Sequence, residues 1–312
     1  MTSEAVETGY LMPAEYVQRP ALMERKWGQA DALAYTRWLA ANHYENFHVV
    51  SVLLPRHLHQ DFYNVYAFCR WADDLGDEIG DKAESLRLLA WWRGELEAMY
   101  EGRTQHPVFA ALEGTAKQYE LEPALFRAMI RAFEQDQVVS RYETWEKLFC
   151  YCRNSANPVG RLVLRLCGYR DPERDRMSDA TCTALQLANF WQDVAVDLEK
   201  DRIYLPLEVL RKHGCTEADV MARRFTPGFR EAMREAVGVA RELFERGLPL
   251  VGTVDKRLAL DLDLFSRGGM RVLEKIERQD YNVLERRPAI GKTERAALLV
   301  RSLVRVAFSR AA

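Results

Sequence analysis

An all-α protein is predicted for this 312-residue chain by three observations. Apolar residues recur at helical spacing over long stretches, period-two alternation is nearly absent, and Gly and Pro are sparse, at 17 and 11, and tend to fall between those stretches. No repeat of fixed period and no low-complexity linker interrupts the pattern, and 48% of the residues are hydrophobic. That is ample for a substantial core. The simplest division is a loosely ordered lead-in over residues 1–28, around Pro13 and Pro20, followed by a single helical domain over 29–312.

Taken in order, periodicity begins near Asp31, passes Trp38 and Leu39, and gives way around His43 to Phe47. After Pro55 a long aromatic-rich helix is predicted, ending near Gly80. Shorter helices follow over 86–100, 108–119 and 122–136, the last with Pro123 suited to its first turn. Residues 145–167 read as one helix kinked by Pro158 and Gly160. A second long buried helix is expected over 179–197, then short elements around Pro206 and Gly214, and helices over 229–244, 258–284 and 293–308.

A net charge of -2 leaves no global basic field, so nucleic acid is not an expected partner. The six cysteines fall mostly inside predicted helices, and their only close pair is Cys150 and Cys152, which suits reduced core thiols rather than disulfides or zinc. No basic region followed by an apolar run opens the chain, and no run of about 18 apolar residues occurs. A cytoplasmic protein is expected.

The chemistry starts at Trp71 to Glu78, where carboxylates sit in a helix whose neighbours predict burial. Tyr66, Arg70, Asp73 and Asp77 are spaced by four, three and four and form one stripe. Ionised aspartates at that spacing repel unless a cation lies between them. Gln186, Asn189, Asp193 and Asp197, spaced three, four and four, make a second such stripe. Either pair alone reads as an ordinary solvated face. Together they suit Mg²⁺, whose shell takes a few carboxylates, waters and substrate phosphate oxygens. An apolar cavity behind such clamps would take a diphosphate with a hydrocarbon tail. His57 and His59, two residues apart, point to different faces and are read as surface rather than as a metal site.

These motifs resemble the squalene and phytoene synthase family of head-to-head prenyl synthases. The resemblance runs from about His43 to Tyr281 and is carried by Tyr66 to Asp77, Tyr151 to Gly160, Leu185 to Asp197 and Asp201 to Pro206. It implies the isoprenoid synthase fold with a central apolar cavity. It assigns Asp73, Asp77, Asp193 and Asp197 to several Mg²⁺ ions and the diphosphate, with Asp73 and Asp193 counted among the catalytic residues. Tyr66 and Tyr151 go to the reacting centre, and His43, Arg70, Gln186, Asn189 and Arg202 to the substrate. Without the resemblance, both tyrosines read as core residues, Arg70 as half of an intrahelical ion pair, and Arg202 as part of a helix cap.

The chain departs from the family pattern at Asn46, at Asn154 to Pro158, at Gln192 where an arginine is common, and at Gly269 where a tyrosine is often found. Together these resemble the bacterial hydroxysqualene synthase (HpnC) subgroup of the hopanoid pathway. That subgroup ionises presqualene diphosphate, rearranges the cation and quenches it with water, without NADPH; Ser155 and Asn157 are the polar groups that would hold the water. The alternatives are condensation of two prenyl diphosphates to presqualene diphosphate, squalene or phytoene, and a lipid-binding scaffold without turnover. The partners implied are a prenyl diphosphate and a pathway reductase; contact of the arginine-bearing last helix with the inner face of the membrane is left open.

Overall fold

In the computed structural model, which describes residues 10–19, 22, 25–42 and 54–308, most helices begin where the sequence supplies a capping side chain or a proline. The chain groups into two units, one of residues 1–138 with 162–169 and one of 139–161 with 170–312.

The first unit contains α1 (Pro13–Tyr16), α2 (Gln29–Asn42), α3 (His59–Asp77), α4 (Lys82–Tyr100), α5 (Pro107–Gln118) and α6 (Pro123–Asp136). A 3-10 turn at Arg56–Leu58 leads into α3, and Asp81 caps α4 by accepting from the Glu84 amide at 2.8 Å. The core is aromatic: Trp71 and Trp92 stack at 5.1 Å, the buried His106 ring stands edge-on to Trp71, and Phe68 packs on Phe126. Each such ring contributes roughly 2–3 kcal/mol by leaving water. Burial also lowers the His106 pKa well below the usual value, so its imidazole is neutral. A polar network crosses this core without leaving its members unpaired. Asn64 accepts from the Thr36 hydroxyl at 2.7 Å and donates to the Ala111 carbonyl and to Thr115, tying α2, α3 and α5 together.

Of the lead-in, the described residues include two tied to the helices by aromatic side chains. Tyr16 is buried against Trp71, its hydroxyl donates to the Leu22 carbonyl at 2.8 Å, and the Tyr35 hydroxyl donates to the Leu11 carbonyl at 3.0 Å.

The second unit contains α7 (Trp145–Ser155), the start of α8 (Asn157–Leu166), α9 (Pro172–Asp197), α10 (Leu207–Lys212), α11 (Glu217–Met221), α12 (Pro227–Gly247), α13 (Lys256–Arg278) and α14 (Lys292–Phe308). The single kinked helix expected over 145–167 is therefore two helices, because the chain breaks at Ala156 before Pro158. α9 starts seven residues before 179, at Pro172, behind an Asp171 cap that accepts from the Arg174 amide at 2.9 Å. It is the centre of this unit, packed on α7, α12 and α13, with the Trp191 indole donating to the Ala236 carbonyl at 3.1 Å. α8 and α9 approach closely at Gly160, where a Cβ would run into Ser178 and Cys182. No strand forms among the described residues; the one extended contact is a bridge between Arg141 and Ile203.

Candidate active site

On α3 the stripe of Tyr66, Arg70, Asp73 and Asp77 is in place, but it is turned away from the core of its unit. The Asp73 side chain is 45% exposed and Asp77 is exposed, so the expectation of a little-hydrated carboxylate pair is corrected. The buried carboxylate is Asp74, which follows Trp71 by one helical turn onto the packed face. Burial pushes its carboxyl up while the Arg70 guanidinium beside it pulls the other way. Arg70 is the hub: besides Asp74, it donates to Asp73 at 3.0 Å and to Glu78 at 2.8 Å. Tyr66 lies one turn earlier, half-buried, its hydroxyl pKa raised by that burial.

On α9 Gln186, Asn189, Asp193 and Asp197 likewise share a stripe, with Asn189 exposed and the other three partly buried. Asp193 is gripped by both nitrogens of Arg287, the second at 3.2 Å, and Gln192 donates to the Pro288 carbonyl at 2.5 Å. The loop after α13 thus closes onto the second aspartate motif. Where the family commonly has arginine, this chain has Gln192, and the guanidinium at Asp193 comes from Arg287 instead. Sequence reading missed Arg287, which lies 94 residues from Asp193 in a loop with no periodicity to flag it. Just past α9, the Arg202 amide donates to the Asp197 carbonyl at 2.9 Å, closing the helix end.

The aromatic residues of this unit gather beside α9. Tyr204 stacks on Phe190 at 3.6 Å with ring planes 5° apart, and Tyr142 and Tyr151 complete the group within 6.2 Å. Tyr142, the other member missed, precedes α7 and enters through the extended pairing of residues 140–142 with the Ile203 segment. Ser155 sits one turn after Tyr151 on the same face of α7. Its hydroxyl oxygen is buried and has no hydrogen-bond partner among the described residues.

Asn157 goes elsewhere: it accepts from the Thr183 hydroxyl at 2.9 Å and, with Phe149, Arg153 and Arg246, lines a cavity of about 480 Å³ that neither Tyr151 nor Ser155 reaches. Ser155 and Asn157 thus have different surroundings, although they are two residues apart. Gly269 has a packing reason, since a Cβ there would strike the Phe244 ring and come within 3.1 Å of Leu185. Phe244 fills the place that a larger side chain at 269 would need. His43 lies outside the described residues.

A divalent cation can be tested against the donors. No group of three or more His, Cys, Asp or Glu side chains suited to a metal occurs among the described residues. The aspartate pairs each offer two carboxylates of hard oxygen donors and already hold a positive group at one member, Arg70 at Asp73 and Arg287 at Asp193. Mg²⁺ suits that donor set, because it keeps waters and takes its other ligands from substrate phosphate.

The family model described as squalene/phytoene synthase matches residues 40–294. The chain belongs to the squalene/phytoene synthase family. It is 33% identical to the phytoene synthase of Thermus thermophilus over 293 residues, covering 94% of this chain and 97% of that one. Among solved structures it is similar to the squalene synthase HpnC of Alicyclobacillus acidocaldarius, at 45% identity and a TM-score of 0.78, over 81% of this chain and 96% of that chain. A dehydrosqualene synthase bound to a ligand matches at a TM-score of 0.79 and 23% identity, over 89% and 98% of the two chains, which speaks to the fold alone. The fold is the all-α isoprenoid synthase fold, and the family is one of enzymes.

Proposed function

We propose that this protein is a Mg²⁺-dependent hydroxysqualene synthase: it ionises presqualene diphosphate, lets the cyclopropylcarbinyl cation rearrange, and quenches the product cation with water. The C–O bond breaks heterolytically, its electron pair leaving with the diphosphate. Water then forms the new C–O bond and loses a proton, so no reductant and no NADPH is consumed.

Asp73, Asp77, Asp193 and Asp197 would hold the metal, which when bound would stabilise the charge of the leaving diphosphate. Arg70 keeps Asp73 oriented, while Arg287 covers Asp193 and is released toward the diphosphate. Gln186, Asn189 and Arg202 flank the head group. Tyr66, Tyr151, Phe190 and Tyr204 offer aromatic faces to the cation. The six cysteines, none of them in a disulfide, fit a reducing, cytoplasmic setting, and the product would pass to a separate reductase.

The observation that carries the water quench is the buried, unpartnered Ser155 hydroxyl one turn from Tyr151. A buried hydroxyl without a protein partner on an aromatic face is a place to hold water. The 45% identity to HpnC supports the same subgroup. The phytoene synthase relatives support a second reading, condensation of two prenyl diphosphates.

Incubation with presqualene diphosphate or with farnesyl diphosphate, with Mg²⁺ and with or without NADPH, followed by mass spectrometry, separates them. Hydroxysqualene from presqualene diphosphate alone is expected; turnover of farnesyl diphosphate alone or an NADPH-dependent hydrocarbon overturns the reading. Ser155→Ala is expected to shift product from alcohol toward elimination hydrocarbons, whereas Asn157→Ala, which breaks the Thr183 bond, leaves the product ratio unchanged.

A further inference from the structure

The last helix is built with its apolar side outward. α14 packs on α13 through Ser302 and Val306, both buried, and its one carboxylate, Glu294, points inward to Arg271 and Lys275. At about 100° per residue, Leu299, Val300, Leu303, Val304 and Phe308 share the opposite side, about half the circumference. All five are exposed, Val300 at 58% and Phe308 at 85%. Scattered exposed aliphatic residues need no explanation, but five on one arc of one helix do.

Arginines flank this arc. Arg301 and Arg305 lie beyond Phe308 on one border, and Arg295, in the first turn, projects at the angle of Ser302 and Val306 but is exposed; Arg305 reaches inward to Asp263 at 3.3 Å, while Arg295 and Arg301 make no ion pair among the described residues. We propose that α14 is a surface-lying contact for an anionic phospholipid membrane, its apolar arc entering the acyl boundary and its guanidiniums meeting the phosphates.

Charge argues for lipid over a second copy of the chain. The outward arc carries no carboxylate, so a two-fold pairing of the same face would leave its arginines facing apolar side chains or one another. Length excludes a span. Seventeen residues reach about 25 Å, short of a hydrocarbon core of about 30 Å, and no described helix is long and apolar enough to cross a membrane. The inference holds whichever prenyl diphosphate is the substrate.

The test is co-sedimentation of the full chain with vesicles of phosphatidylcholine alone and of phosphatidylcholine mixed equally with phosphatidylglycerol. The unaltered protein is expected to bind the mixed vesicles more tightly. Val300→Asp with Val304→Asp should lower that binding at least about tenfold without changing the circular dichroism, since both sites are exposed. Arg295→Gln with Arg301→Gln should lower binding to mixed vesicles about fivefold per arginine and leave the neutral vesicles unaffected. This second pair carries the test if the aspartates disturb folding. Failure of the unaltered protein to bind mixed vesicles overturns the proposal, as does equal binding by the aspartate pair. A concentration-dependent dimer lost in that variant, without vesicle binding, assigns the face to a second copy and overturns it too.

Discussion

The two aspartate motifs look alike in sequence and are held in different ways. On α3 the guanidinium is local: Arg70 lies within the same helix and serves Asp73, Asp74 and Glu78. On α9 it is remote, brought to Asp193 by a loop 94 residues away. The first arrangement also pairs with a buried acid, whose pKa burial still raises to about 7, and the second clasps a carboxylate that is only partly buried. One arginine thus binds acids of its own helix, whereas the other ties a distant loop to its motif.

The largest effect that would break this comparison is on turnover. Asp73→Ala and Asp193→Ala are each expected to lower activity on presqualene diphosphate at least about a hundredfold while the far-ultraviolet circular dichroism stays unchanged. Substantial residual activity in either counts against a two-sided clamp.

Stability separates the arginines next. Arg70→Ala strands the buried Asp74 carboxylate and should cost roughly 3–5 kcal/mol in denaturant unfolding. Arg287→Ala, at a half-exposed pair, should cost under about 1 kcal/mol. Similar losses in both would erase the distinction.

A second buried acid lacks such a guanidinium. Asp261 on α13 is 2% exposed, neither of its carboxylate oxygens is hydrogen-bonded among the described residues, and burial, helped by the Asp255 charge, raises its pKa to about 7. Because the folded pKa is raised above the unfolded value of 3.8, the folded state keeps a proton that the unfolded chain has lost. Its contribution to stability therefore falls as pH rises from about 4 to about 7 and is flat above. Asp261→Asn should raise stability by ~3 kcal/mol at pH 8 and by little near pH 4, measured by thermal melts across that range. A pH-independent effect would refute the cause.

The smallest effect concerns packing around α9. Gly269→Ala should cost about 1–3 kcal/mol by pressing on Phe244, and Phe244→Leu in the same chain should recover part of it. No recovery would mean that the glycine serves something other than this contact.

Much of this architecture was legible in the sequence. The long helices of both units, the two stripes and the family followed from spacing alone or from the motifs it carried, because helical register is local: residues three and four apart share a face wherever the helix sits. The break at Ala156 was legible only as a kink, since Pro158 and Gly160 signal interruption without saying whether the axis bends or ends. The order in residues 10–19 was not legible, because Tyr16 and Tyr35 find their partners only after the chain has folded back.

What the sequence by itself determined is therefore the helical class, the placing of Asp73, Asp77, Asp193 and Asp197 on common faces, and membership of a prenyl synthase family. The tertiary structure alone decided that Asp74 is the buried acid of its motif, that Arg287 meets Asp193, that Asn157 is spent on Thr183 while Ser155 keeps an unanswered hydroxyl, and that the apolar side of α14 faces outward. Periodicity gives the angle between two side chains on one helix. Which angle is turned toward the core depends on neighbours that are far away in the chain, and those are brought near only by packing.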